Sequence, residues 1–223
     1  MKCDLHCHTS YSNDSISSPK KMIDAAIKKG IDCLAISDHN TIDGVKEAEE
    51  YAKGKAILII PAIEIKSKAG DILGLNIRKS IPKRLTALET IREIKKARGM
   101  AIIPHPFGIL KHKFKENLEG LVKEIDGIEV LNSTMYGSAN KEAFDFAEKH
   151  ELAFTAGSDA HFSNMVGKVY LEIPGKNLSV EEILRKIKNK EGKLGGKAGS
   201  FLEKFLEHLK RHYPKILKKI IKK

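Results

Sequence analysis

"DLHCHTSYSNDS", residues 4 to 15, places two histidines, two aspartates, a cysteine and a run of hydroxyl side chains beside the N-terminus. The segment begins as an alternating stretch, "KCDLHCH", and a strand sends successive side chains to opposite faces. Asp4, His6 and His8 are therefore expected on one face, with Leu5 and Cys7 on the other. Two imidazoles aimed the same way are a poor surface decoration and a good pair of metal ligands.

Further along, apolar strand-like runs recur at residues 32–37, 56–65, 71–77, 100–104, 127–132, 153–157 and 168–173. Helical patterns fall between most of them. "SPKKMIDAAIKKG" has Ser18 as a cap, Pro19 in the first turn, apolar residues at 22, 23, 26 and 27, and Gly30 at the stop. Similar stretches run over about 42–53, 82–98, 138–150 and 179–188. This alternation predicts an α/β fold, either a barrel or an open parallel sheet. A Gly-rich break, "GKLGGKAG", precedes the tail.

Nearly every strand ends in a candidate ligand: His6 and His8, Asp38 and His39, Glu64, His105, Asn132, then Asp159 and His161. Parallel α/β folds gather their sites at the carboxyl ends of the strands. Five of the nine histidines belong to this series, and it predicts a metal site.

Bulk properties bound the rest. At 223 residues and 41% hydrophobic, the chain can bury one sizeable core. Cys3, Cys7 and Cys33 are odd in number and lie in apolar stretches, which argues against disulfides and for a reducing, cytoplasmic setting. No apolar leader precedes "MKCDLHCH", and no window approaches the roughly 18 apolar residues of a membrane span. The net charge of +11 is unevenly spread. Residues 176–223 carry 15 of the 40 Lys and Arg and 5 of the 29 Asp and Glu, a net of +10, so the body is nearly neutral. Polyanion binding is thereby an expectation about the tail.

Taken together, "DLHCHTSYSNDS", "ISDHNTIDG", "PAIEI", "IIPHPF", "IEVLNS" and "GSDAH" resemble, in this order over residues 3 to 173, the PHP family (polymerase and histidinol phosphatase). The resemblance implies a distorted (β/α)7 TIM-like barrel with two or three divalent ions, among Mn, Zn, Fe and Mg, at its mouth and phosphoester hydrolysis as its activity. Carried onto this chain, His6, His8, Glu64 and Asp159 hold one ion, and Glu64 bridges to a second that His105 also binds. A third takes Asp14, His39 and His161. Asp14 fills the aspartate role after a one-residue shift, since Asn13 stands where many relatives have it. Asp71 stands where several relatives have a histidine, and an oxygen there either favours Mn²⁺ or Mg²⁺ over Zn²⁺ or leaves the second site weak. Glu64, Asp159 and His161 are the expected catalytic residues, and Asp38 is expected to orient the His39 ring from behind.

Lys66, Lys68, Asn132 and Ser133 are candidates for substrate contact. His112, His150, His208 and His212 lie in Lys-rich or helix-end contexts and are set aside as solvated. The expected substrate is a small phosphorylated metabolite, foremost a nucleotide such as a 3′,5′-bisphosphate or a short oligonucleotide. Histidinol-phosphate hydrolysis and a non-catalytic barrel that binds RNA or protein are the alternatives. Residues 1–198 form the expected catalytic domain. Residues 199–223 form a basic amphipathic helix, kinked at Pro214, that docks on the barrel or a twin subunit, on a membrane surface, or on nucleic acid.

Overall fold

A computed structural model describes residues 1–108, 114–136 and 138–198. The C-terminal helix expected over 199–223 lies outside the described residues, as do His112, His208 and His212. The elements are β1 (Lys2–Asp4), α1 (Pro19–Lys28), β2 (Cys33–Ile36), α2 (Asp43–Ala52), β3 (Leu58–Lys66), β4 (Asp71–Leu75), α3 (Ala87–Lys96) and β5 (Met100–Ile103). A 3-10 turn over Leu118–Leu121 follows, then β6 (Gly127–Asn132), α4 (Ala139–Lys149), β7 (Ala153–Gly157), β8 (Val169–Glu172), α5 (Val180–Lys188) and β9 (Lys193–Gly196).

β1, β2 and β3 pair in parallel, and so do β5, β6 and β7. Between these sets β4 runs antiparallel to both neighbours. The cause is local: β3 and β4 are joined by residues 67–70, closed by Ser67 N–H donating to Gly70 O at 2.9 Å. A connection this short can only reverse the chain, because a parallel return needs a long crossover. Leu5 N–H donates to Ala156 O at 3.2 Å, and Cys7 bridges Ala160, so β1 meets β7 and the seven strands nearly close into a barrel. β8 pairs with the first half of β1, and β9 pairs with β8.

Strand alternation sorts the core. Cys3, Cys33, Ile60, Ala62, Leu73, Leu75, Ile102 and Ala156 fill the barrel interior, where Ile183 and Ile187 of α5 join them. Ile63, Ile65, Ala101, Ile103, Ile128 and Val130 face the opposite way, onto Ile91 and Ile94 of α3 and Ala143 and Ala147 of α4. Leu34, Ile36 and Ile59 face Met22 and Ile23 of α1 and Val45 and Ala48 of α2. Cys3, Cys7 and Cys33 are buried free thiols.

Four local expectations are corrected. The pairing of β1 ends at Asp4, and Leu5 stays with the barrel interior while Cys7 packs beside Met22 and Ile23, so these two do not share a face. Asp4 likewise leaves the histidine face and accepts from Ser158 N–H, Ser158 Oγ–H and Gly167 N–H at 2.8, 2.6 and 2.8 Å. The helix read from 82 starts at Ala87. Thr86 and Glu89 form a reciprocal capping box there, and the preceding Arg84 has φ +64, which a helix cannot contain. Residues within the Gly-rich break form β9, where the bare backbone at Gly195 leaves room for the Tyr170 ring. By contrast, the α1 start is as expected: the Ser18 side chain accepts from Lys21 N–H, Pro19 opens the helix, and Gly30 follows at φ +69.

Candidate metal centre

The inward row of β3, Ile60 then Ala62, continues into Glu64 at the carboxyl end of the strand, so a row that is apolar inside the barrel turns acidic at its mouth. His39 is attached beside it through an isolated parallel bridge to Glu64. His105 and Asp159 follow β5 and β7 with φ of +34 and +51, left-handed values that side chains rarely adopt and that recur at functional sites. Each element end thus delivers one or two polar groups to a common point.

Three groups of ligand atoms result: His6, His8 and Asp159; His6, Glu64 and His105; and His8, His39 and His161. His8 Nε2 lies 3.3 Å from Asp159 Oδ1 and 3.5 Å from Glu64 Oε2. Glu64 Oε1 lies 3.1 Å from His105 Nε2, and Oε2 lies 2.8 Å from His39 Nδ1. Asp14 faces both His39 Nε2 and His161 Nε2, at 3.4 Å each.

The outer partners of the rings explain their aim. His6 Nδ1–H donates to Glu129 Oε1 at 3.1 Å, and His161 Nδ1–H donates to Asp159 O at 2.9 Å. His8 Nδ1 approaches Ser12 Oγ at 3.3 Å, and that hydroxyl donates to Asp38 Oδ1 at 2.8 Å while accepting His39 N–H at 2.9 Å. His6 Nε2 and His8 Nε2 face one another at 3.1 Å, a hydrogen bond when the His6 ring is cationic, and a divalent ion within reach of both nitrogens would take the place of that shared proton. Donors bound at the roughly 2.0–2.2 Å of zinc–nitrogen and zinc–oxygen contacts stand about 3–4 Å apart, as these do. The residues present therefore fit a divalent metal centre.

Electrostatics follow the same geometry. Burial lowers the pKa of His6, but the carboxylates of Glu129, Asp159 and Glu64 outweigh it and hold the ring well above the usual imidazole range. Burial and the neighbouring His161 and His39 push His8 well below it. Glu64 and Asp159 are buried, which raises a carboxyl pKa, yet the surrounding histidines hold both well below the usual range. A buried cluster that keeps its carboxylates ionised and its imidazoles unequal is built to take positive charge.

The centre opens into a cleft of about 570 Å³ lined by Asp14, His39, Lys66, Asp71 and Lys83, among others. Asp71, expected as a ligand, belongs to none of the three groups of ligand atoms. It sits opposite Lys66 in the β3–β4 register, 3.7 Å from its Nζ. Lys68 is exposed and does not line the cleft. Asn132 and Ser133 are buried and engaged internally: Asn132 Nδ2–H donates to Glu129 Oε2 at 2.8 Å, and Ser133 Oγ–H donates to Ser158 O. Asp38, expected behind the His39 ring, instead reaches the His8 ring through Ser12, because Thr9 N–H and Oγ–H hold its carboxylate at 2.6 and 2.7 Å. His150 lies away from the centre, against Phe146. Sequence reasoning missed Glu129, Ser12 and Lys83. For Glu129 the signal was present: a lone charge between Ile128 and Val130, on the inward parity of an otherwise apolar strand.

A barrel with this donor set at the carboxyl ends of its strands defines the class of metal-dependent hydrolases. Residues 137–191 match the PHP-associated family. An uncharacterized protein of Methanocaldococcus jannaschii is 38% identical over 143 residues, 60% of this chain and 82% of its own. A 5′-3′ exoribonuclease of Haemophilus influenzae is 36% identical over 105 residues, 45% of this chain and 38% of its own. A 3′,5′-nucleoside bisphosphate phosphatase of Chromobacterium violaceum is 28% identical over 139 residues, 60% of this chain and 47% of its own. Among solved structures, a two-domain protein of Bacteroides vulgatus containing a predicted PHP-like metal-dependent phosphoesterase superposes with a TM-score of 0.77 at 22% identity, over 93% of this chain and 69% of that one. The chain belongs to the PHP (polymerase and histidinol phosphatase) family. No helix among the described residues is long and apolar enough to cross a membrane.

Proposed function

We propose that the protein hydrolyses a phosphoester of a nucleotide, either a 3′,5′-bisphosphate or a short oligonucleotide, with two or three divalent ions bound. The observation that carries the reading is the convergence of His6, His8, Glu64 and Asp159, each histidine within 3.8 Å of both carboxylates, beside a cleft whose rim bears Lys66 and Lys83. Ions bound there would supply Lewis acidity toward phosphoryl oxygens and an activated water.

The chain's own groups do the rest. His6, His8, Glu64 and Asp159 would hold one ion, Glu64 would also serve a second beside His105, and Asp14, His39 and His161 would hold a third. Glu64 spans His39 and His105, so one carboxylate orients two groups of ligands. Lys66 and Lys83 bind the anionic part of the substrate away from the reacting ester, and Tyr11 offers a half-exposed ring in the same cleft for a base. The likeness to an exoribonuclease and to a bisphosphate phosphatase supports this substrate class.

The test is hydrolysis by Mn²⁺-reconstituted protein of a generic aryl phosphate, a 3′,5′-bisphosphate and short oligonucleotides, beside histidinol phosphate. Preference for the nucleotide substrates is expected. Preference for histidinol phosphate would overturn the substrate, and no hydrolysis at all would overturn the activity.

A further inference from the structure

Glu129 is a buried carboxylate on the inward side of β6, outside the three groups of ligand atoms, and it is 1% exposed. Oε1 accepts His6 Nδ1–H at 3.1 Å. Oε2 accepts the backbone N–H of His105 at 3.0 Å and Asn132 Nδ2–H at 2.8 Å. All three partners are donors, so only a group that accepts at both ends satisfies them. A carboxamide cannot: turned one way its NH₂ opposes two N–H donors, and turned the other way it donates to His6 Nδ1 and drives the ring proton to Nε2.

Two backbone features support this arrangement. His105, the residue whose N–H Glu129 holds, has φ +34. β7 is bare where the carboxylate reaches the ring: a Cβ on Gly157 would come within 2.7 Å of His6 N and 2.8 Å of Glu129 Oε1. The fold keeps a glycine at a place where a side chain would part Glu129 from His6.

We propose that Glu129 is a positioning residue that couples two ions. It fixes His6 with its proton on Nδ1 and Nε2 bare, and it holds the backbone that aims His105 at Glu64. The ion that His6, His8, Glu64 and Asp159 would hold and the ion that Glu64 and His105 would hold then bind as a pair, while Asp14, His39 and His161 would hold theirs without Glu129. This rests on the metal-dependent reading above.

The experiment compares the full-length protein with its E129Q variant by calorimetric titration with Mn²⁺, by ion count per chain, and by ¹⁵N-edited spectra of the histidine rings with diamagnetic Zn²⁺ bound. Expected is a joint loss of about 10–100-fold in affinity for the paired ions, the range seen when an outer partner of a metal ligand is removed. The ion of the third group should stay, and the His6 Nδ1 proton signal should move upfield and exchange faster. Wild-type affinity and an unmoved His6 signal in E129Q would overturn the proposal, as would loss of only one ion of the pair. If E129Q does not fold, the Zn²⁺-loaded wild type decides: a downfield, exchange-protected His6 Nδ1 proton supports the proposal, and a freely exchanging one overturns it. A wild-type chain that takes up no ion overturns the metal reading itself, whereas normal loading with an indistinguishable E129Q overturns only the coupling.

Discussion

His39 and Glu64 are joined twice. The ring Nδ1 lies 2.8 Å from Glu64 Oε2, and the two residues form a backbone bridge flanked by Asn40 N–H donating to Glu64 O at 2.8 Å and Glu64 N–H to Asp38 O at 3.2 Å. Main-chain bonds thus set where the carboxylate stands, and its second oxygen is free to face His105 at 3.1 Å.

Glu64→Gln keeps the shape and removes the charge that serves two ligand groups. Ion stoichiometry should fall by at least one per chain and turnover by more than about 100-fold, above the range typical of an outer partner. Elemental analysis and steady-state kinetics check this. Unchanged stoichiometry and rate would remove Glu64 from the centre.

The metal-free protein should respond to pH in a defined direction. Burial lowers the pKa of His39 and of His105, but Glu64, with Asp14 also acting on His39, raises them to about 10 and about 9. Unfolded histidine titrates near 6.5, so the folded state keeps protons that the unfolded state has released. The stability these pairs contribute is fully present below about pH 6.5 and is lost as pH rises through 9 to 10. Ion binding needs neutral rings, so apparent Mn²⁺ affinity should climb between pH 6.5 and 9, with roughly three protons released per chain near neutrality, from His6, His39 and His105. Calorimetry in buffers of different ionisation enthalpy measures that release, and its absence would contradict the assignment.

Gly157→Ala tests the packing around the centre. The added methyl meets His6 backbone and the Glu129 carboxylate, neither of which is the loose end of a flexible side chain. Overpacking of this kind costs about 1–3 kcal/mol. Chemical denaturation of the metal-free protein should show that loss, and an unchanged midpoint would mean that β7 can yield.

Strands, their order of ligands and most helix positions were legible because period and caps are local signals. "SPKKMIDAAIKKG" folds as its cap, proline and glycine dictate. What failed depends on contacts distant in sequence. Asp4 alternates with the histidines on paper, yet it turns to Ser158 and Gly167 because β1 changes partners after it. Asp38 neighbours His39 in the chain but supports His8 through Ser12, a relation that appears only when β1 and β2 lie side by side. Lys83 reaches the cleft because Arg84 N–H is tied to Lys66 O at 2.7 Å, a loop contact without a sequence pattern.

The lysines carry a prediction about recognition. Lys66→Ala and Lys83→Ala should each raise KM for a bisphosphate by roughly tenfold, the scale of a charged hydrogen bond. Lys68→Ala, outside the cleft, should change it less than about twofold. Equal effects at Lys66, Lys68 and Lys83 would point to a diffuse field instead of a built anion site.

The central claim is that His6, His8, Glu64, His105, Asp159 and their neighbours form a multinuclear metal centre. Its most direct test is an ion count by mass spectrometry on protein reconstituted with Mn²⁺ and freed of excess metal. Two or three tightly held ions per chain are predicted, and protein that emerges metal-free would contradict the account.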